Sequence, residues 1–80
     1  MGEWPKLVDW LVEALDDLGG SARIADVCRH VWEHHERELR ESGDLFYTWQ
    51  HDIREAVFHL RISGRIRGAK ESPKGIWELA

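Results

Sequence analysis

Apolar residues recur over the first forty positions at the three- and four-residue spacing of helices that bury one side. Leu7, Leu11, Ala14, Leu15 and Leu18 form one such run, with Pro5 suited to its first turn and Gly19-Gly20 to its end. Val8 and Val12 lie off that stripe as a second apolar strip, of the kind against which a neighbouring domain or a second copy packs. Ser21-Ala22-Arg23 is long enough only for a bridging strand. Ile24, Val27, Cys28, Val31, His35 and Leu39 make a second helical run that stops near Gly43, while Arg29, Glu33, Glu36, Arg37 and Arg40 mark its solvated side.

A connecting loop is expected over Gly43, Asp44, Leu45 and Phe46, with Thr48 as the N-cap of a third helix. Ile53, Ala56, Val57 and Leu60 are the core stripe of that helix, and Gly64 stands where a left-handed residue ends it. At about 100° per residue, Trp49 falls near the stripe, whereas Tyr47, His51, Arg54, Glu55 and Phe58 point the opposite way. Ile66 sits in a short basic strand, Ser72-Pro73-Lys74-Gly75 has the residues of a turn, and Ile76-Trp77-Glu78-Leu79 alternates as a returning strand. The predicted order is helix, short strand, helix, helix, strand, wing, strand. This is an α+β fold, a winged helix-turn-helix with three helices, a small antiparallel β-sheet and one wing, in a single domain over residues 1–80.

Length and composition agree with one core, because a chain of 80 residues has too little interior for two. Large aromatics supply the filler, and at least three of Trp4, Trp10, Trp32, Trp49 and Trp77 are expected inside. Cys28 has no second cysteine to pair with, the start has neither a basic segment nor an apolar run, and no window is apolar enough to span a bilayer. A cytoplasmic protein with no membrane partner is expected.

The net charge of −4 speaks against indiscriminate nucleic-acid binding, yet its distribution is lopsided. Residues 1–42 hold five basic against ten acidic side chains, and residues 53–75 hold six basic against two acidic. Either the second segment meets an anionic partner, or its basic residues merely solvate that half of the domain.

No catalytic constellation is visible. Metal-dependent nucleases need clustered carboxylates and a lysine at a sheet end, and the acidic residues here lie mainly on helix surfaces. Cys28 is expected to be buried, with no base beside it. His30 and His34 have the four-residue spacing of a metal pair, with Cys28 and His35 nearby. Cys28 and His35 project toward the core stripe, however, and the other two to one side, so neither a metal site nor a cofactor is expected. The chain is read as a binding domain, not an enzyme.

Double-stranded DNA fits the pattern better, since a helix enters the major groove while a hairpin wing lies on flanking phosphates. Arg54 is the candidate for a guanine, Gln50 and His51 for other base edges, and Lys70, Lys74, Arg65 and Arg67 for phosphates. Thr48 and Arg61 join the phosphate set. For Arg54 the alternative is an intrahelical pair with a neighbouring carboxylate.

The stretch Asp52-Ile53-Arg54-Glu55-Ala56-Val57-Phe58-His59-Leu60-Arg61-Ile62-Ser63-Gly64-Arg65-Ile66, followed by Gly75-Ile76-Trp77-Glu78-Leu79, resembles the winged-helix domains of modification-dependent restriction systems. It is similar to the N-terminal domain of Mrr-type restriction proteins and, in layout, to the C-terminal winged helix of the DpnI type. The resemblance implies a prokaryotic targeting module that reads N6-methyladenine in a GATC-like context and serves a nuclease domain elsewhere in the same parent protein. Tyr47, Phe58 and Trp49 are then the candidates to cover the methyl group. The alternative from another class is a winged helix for protein interaction or dimerisation without direct DNA contact, which the negative net charge and the Val8, Val12 strip favour.

Overall fold

The computed structural model describes residues 4–80 and contains three helices and a two-stranded antiparallel sheet, an α+β arrangement. The first helix, α1, spans Trp4–Asp17 and buries Leu7, Leu11, Ala14 and Leu15 completely. Leu18 was expected to continue that stripe, but it lies beyond the helix end and is exposed. The chain turns there because Gly19 and Gly20 both take positive φ, which lets the Gly20 amide donate to the Leu15 carbonyl at 2.7 Å. Val8 and Val12 are half-buried and pack against the core, so the second apolar strip is used within the fold.

Strand β1, Ser21–Arg23, runs directly into α2, Ile24–Arg40. Val27, Val31 and Leu39 face the interior, and the helix departs from helical geometry at His35 (φ −133°, ψ 20°). Helix α3 spans Leu45–Ile62, which corrects the expected start at Thr48. Leu45 is itself buried, and the Phe46 and Tyr47 amides donate to the carbonyls of Gly43 and Asp44, so packing draws the first turn back through the expected loop. Thr48 is no cap: its hydroxyl donates to Asp52 Oδ2 at 2.8 Å, one turn ahead. The helix ends as expected, with Gly64 at φ 83° and the Arg65 amide bonded to the Leu60 carbonyl.

The final strand, β2, is Ile76–Glu78 and pairs with β1, placing Ser21 opposite Glu78, Ala22 opposite Trp77 and Arg23 opposite Ile76. The expected basic strand through Ile66 is reduced to a single bridge between Ile66 and Leu79, flanked by a hydrogen bond from the Arg67 amide to the Glu78 carbonyl. It stops there because Gly68 and Glu71 close a turn on each other instead: the Gly68 amide donates to Glu71 Oε1 and the Glu71 amide to the Gly68 carbonyl, each at 3.0 Å. A second turn joins the Pro73 carbonyl to the Ile76 amide, with Gly75 at φ 80° in the position that needs it.

One hydrophobic cluster links all these elements. Trp10, Trp49 and Trp77 lie inside it, Trp32 is half-buried against it, and Trp4 lies outside the described side chains. Ile53, Ala56, Val57 and Leu60 form the buried face of α3 as the spacing requires. The opposite face of α3 is thereby left to solvent.

Candidate nucleic-acid interface

On that open face Tyr47 is 83% exposed, Phe58 59% and Ile62 71%. Together with His51 and Arg54 they recur at steps of four and three, so all five lie within roughly a quarter of the helix circumference at about 100° per residue. Ile62 is missing from the sequence-derived set because it follows the last core residue and reads as helix end rather than as face. His51, Arg54, Glu55 and Phe58 line a shallow groove of about 400 Å³.

The polar members of the face differ in their commitments. His51 Nε2 lies 3.5 Å from Glu55 Oε1, whereas Arg54 is exposed and makes no ion pair among the described residues. The intrahelical pair weighed for Arg54 is therefore not formed. Gln50 opens onto a neighbouring cleft of about 540 Å³ between α2 and α3, lined also by Ala25, Cys28, Arg29, Trp32 and Phe46. Burial pushes the Cys28 thiol up, with Arg54 opposing the shift, and Cys28 forms a half-buried wall of that cleft.

Trp49 has to be removed from the expected contact set. It is 6% exposed, with its ring stacked on Trp32 at 6.2 Å between centroids, and it supports the face from behind. Thr48 is exposed, but its hydroxyl is engaged with Asp52, which leaves it poorly placed to seek phosphate. Arg61 is likewise committed. Its Nε donates to the Arg67 carbonyl at 3.0 Å and its side chain lines a groove with residues 72–75, so it braces the 68–75 loop against the end of α3.

The remaining four expected phosphate contacts keep their charges free. Arg65, Arg67, Lys70 and Lys74 are all exposed, and none enters an ion pair among the described residues. The structure thus brings one unpaired arginine and two exposed aromatics onto α3, and ties to its end a loop region carrying four unpaired cations.

The histidines on α2 are arranged otherwise than their spacing implies. His30 and His34 stack on each other at 3.9 Å, and His34 Nδ1 lies 2.9 Å from the His30 carbonyl, so they do not converge on a common point. His30 Nε2 instead reaches Asp17 Oδ2 at 3.0 Å, and His35 stacks on Trp10 with Nε2 3.1 Å from Glu13 Oε1. Those partners lie on α1, more than a dozen residues away, where no local spacing rule reaches.

No helix among the described residues is long and apolar enough to cross a membrane. Comparison with family models, with curated proteins and with solved structures returns no match to this chain.

Proposed function

We propose that the chain is a winged helix-turn-helix module that binds double-stranded DNA, with α3 in the major groove and the 68–75 loop as the wing on flanking phosphates. The observation that carries this reading is the unpaired Arg54 set between Tyr47 and Phe58 on a helix face that no other element covers. A guanidinium without an internal carboxylate is available for two parallel hydrogen bonds to guanine O6 and N7. The four unpaired cations at and beside the wing supply the sequence-independent attraction that the net charge of the whole chain lacks.

The resemblance to modification-dependent restriction systems extends the proposal to a specificity module for N6-methyladenine in a GATC-like context, serving a nuclease domain. The adenine methyl projects into the major groove, where Tyr47 and Phe58 would exclude water from it. Burying one methyl is worth about 0.8 kcal/mol, a preference of roughly fourfold, and two methyls of a palindrome give about fifteenfold. Stronger discrimination requires a polar group that unmodified adenine leaves unpaired.

Titration of methylated and unmethylated GATC duplexes across a salt series tests both levels. DNA binding is expected to weaken steeply with salt, and the methylated duplex to bind more tightly at every salt concentration. Equal affinities would remove the methyl reading and leave DNA binding intact. Absence of binding at low salt would remove both. A second reading, a protein-interaction winged helix, is favoured by Ile62, an apolar side chain 71% exposed beside Phe58. It predicts no DNA binding at any salt and self-association or partner capture that Ile62→Lys abolishes.

A further inference from the structure

The interhelical histidine cluster has the makings of a metal site on the α1–α2 side of the molecule, away from every residue assigned to DNA. Glu13 and Asp17 stand four apart on α1, so both carboxylates leave the same face of that helix. His30 and His35 stand five apart on α2, which on a regular helix would turn them about 140° from each other. The break in helical geometry falls at His35 itself, and both imidazoles reach α1.

The donor atoms are already close. Asp17 Oδ2 and His30 Nε2 are 3.0 Å apart, and Glu13 Oε1 and His35 Nε2 are 3.1 Å apart. One donor each from Glu13, Asp17 and His30 lies within 4.8 Å of the others, and His35 meets this group only through its contact with Glu13. A tetrahedral ion bound at about 2.0–2.1 Å holds neighbouring donors roughly 3.3 Å apart, so the Asp17–His30 pair stands near the required spacing. The remaining contraction falls to the flexible members, since the Glu13 and Asp17 side chains are 48% and 52% exposed. The imidazoles are anchored: their side chains are only 11% and 13% exposed, His30 rests on His34, and His35 rests on Trp10.

His35 is held from both sides: its Nδ1 lies 2.9 Å from Glu38 Oε1 and its Nε2 3.1 Å from Glu13 Oε1, so it orients the Glu13 carboxylate beside the site. His30 has no such support, because its Nδ1 is buried without a hydrogen-bond partner, and this holds the expected affinity to the micromolar range. An imidazole beside two carboxylates suits a first-row transition ion better than magnesium or calcium, which prefer oxygen ligands alone.

We propose that Glu13, Asp17 and His30 bind one zinc-type divalent ion that staples α1 to α2, with His35 holding Glu13 in position. Calorimetric titration of the chelator-stripped protein with zinc is expected to give one ion per chain at micromolar Kd, with no uptake of magnesium. Glu13→Gln and Asp17→Asn alter exposed side chains of unchanged shape, and each is expected to weaken zinc binding at least tenfold, whereas His51→Ala on α3 leaves it unchanged. In the wild-type chain, zinc should shift the ring signals of His30 and His35 in nuclear magnetic resonance and spare those of His51. Absence of saturable binding overturns the proposal, as do wild-type affinity in both carboxylate variants or zinc-induced shifts confined to other histidines. None of these outcomes depends on whether the protein binds DNA.

Discussion

The α1–α2 half of the molecule and the half formed by α3 and the 65–75 segment treat their charged side chains in opposite ways. From Arg23 to Arg40 every arginine is matched within its own segment: Arg23 and Arg29 to Asp26, Arg37 to Glu41, Arg40 to Glu36. Arg40 also lies over the rings of Trp32 and Phe46, at 5.3 and 5.7 Å from their centroids. After α3 begins, Arg54, Arg65, Arg67, Lys70 and Lys74 have no carboxylate partner among the described residues. Positive charge that is internally neutralised contributes to the fold, and charge left open is available to a polyanion. The difference lies in pairing, which overall net charge conceals.

Substitutions that exchange the roles of the two halves put this contrast at risk. The largest effect is expected for Arg54→Ala, which should lose about 1–3 kcal/mol of specific DNA binding while thermal stability stays at the wild-type level. A fall in melting temperature with unchanged affinity would instead make Arg54 a structural residue. Next comes the pair Lys70→Ala with Lys74→Ala. Removing two phosphate contacts should make the slope of log affinity against log salt shallower by about 2, measured on any duplex sequence. Phe58→Ala should reduce the preference for methylated duplex by about fourfold per methyl and leave the salt slope as it is.

The mirror experiment lies on α2. Arg40→Ala should cost about 0.5–1 kcal/mol of stability, mainly through the lost aromatic contact, and leave DNA affinity unaltered. A drop in affinity there would dissolve the division between the halves. The smallest effect belongs to Asp26, whose carboxyl is held below its ordinary range chiefly by the hydrogen bond from Arg23. A depressed folded value means the stabilisation is present at neutral pH and is lost as pH falls through that lowered value. Since Arg23 is well exposed, Asp26→Asn should change acid unfolding only slightly, in a titration read by circular dichroism.

Periodicity carried the helices because their cores are built from single faces. Ile53, Ala56, Val57 and Leu60 could be assigned to the interior from spacing, and Gly19, Gly20 and Gly64 stop their helices for the conformational reason their residue type supplies. Leu45 and Phe46 escaped the same logic because the loop residues before them looked like punctuation, and only packing reveals that Leu45 belongs inside. The exposed face of α3 was legible in outline, since Tyr47, Arg54 and Phe58 fall opposite the core stripe. Thr48 and Arg61 were not separable from it, because Asp52 and the Arg67 carbonyl engage them, whereas Trp49 already fell near the core stripe and its stacking on Trp32 keeps it inside. The histidines failed in the reverse direction, as local spacing paired His30 with His34 while it is His30 and His35 that reach across to carboxylates on α1.

The pairing of β2 with β1 fixes the order in which the chain can be assembled. Ser21 and Glu78 meet across more than fifty intervening residues, whereas successive helices join through short connections. Closing so long a loop is the slow step in a small domain, so the helices can collapse on one another before the sheet exists. During synthesis the 68–75 loop has no finished edge to rest on until Leu79 has been added and Ile66 has bridged to it. The 68–75 loop is therefore expected to be the last part of the molecule to acquire its shape, after the helices have already met.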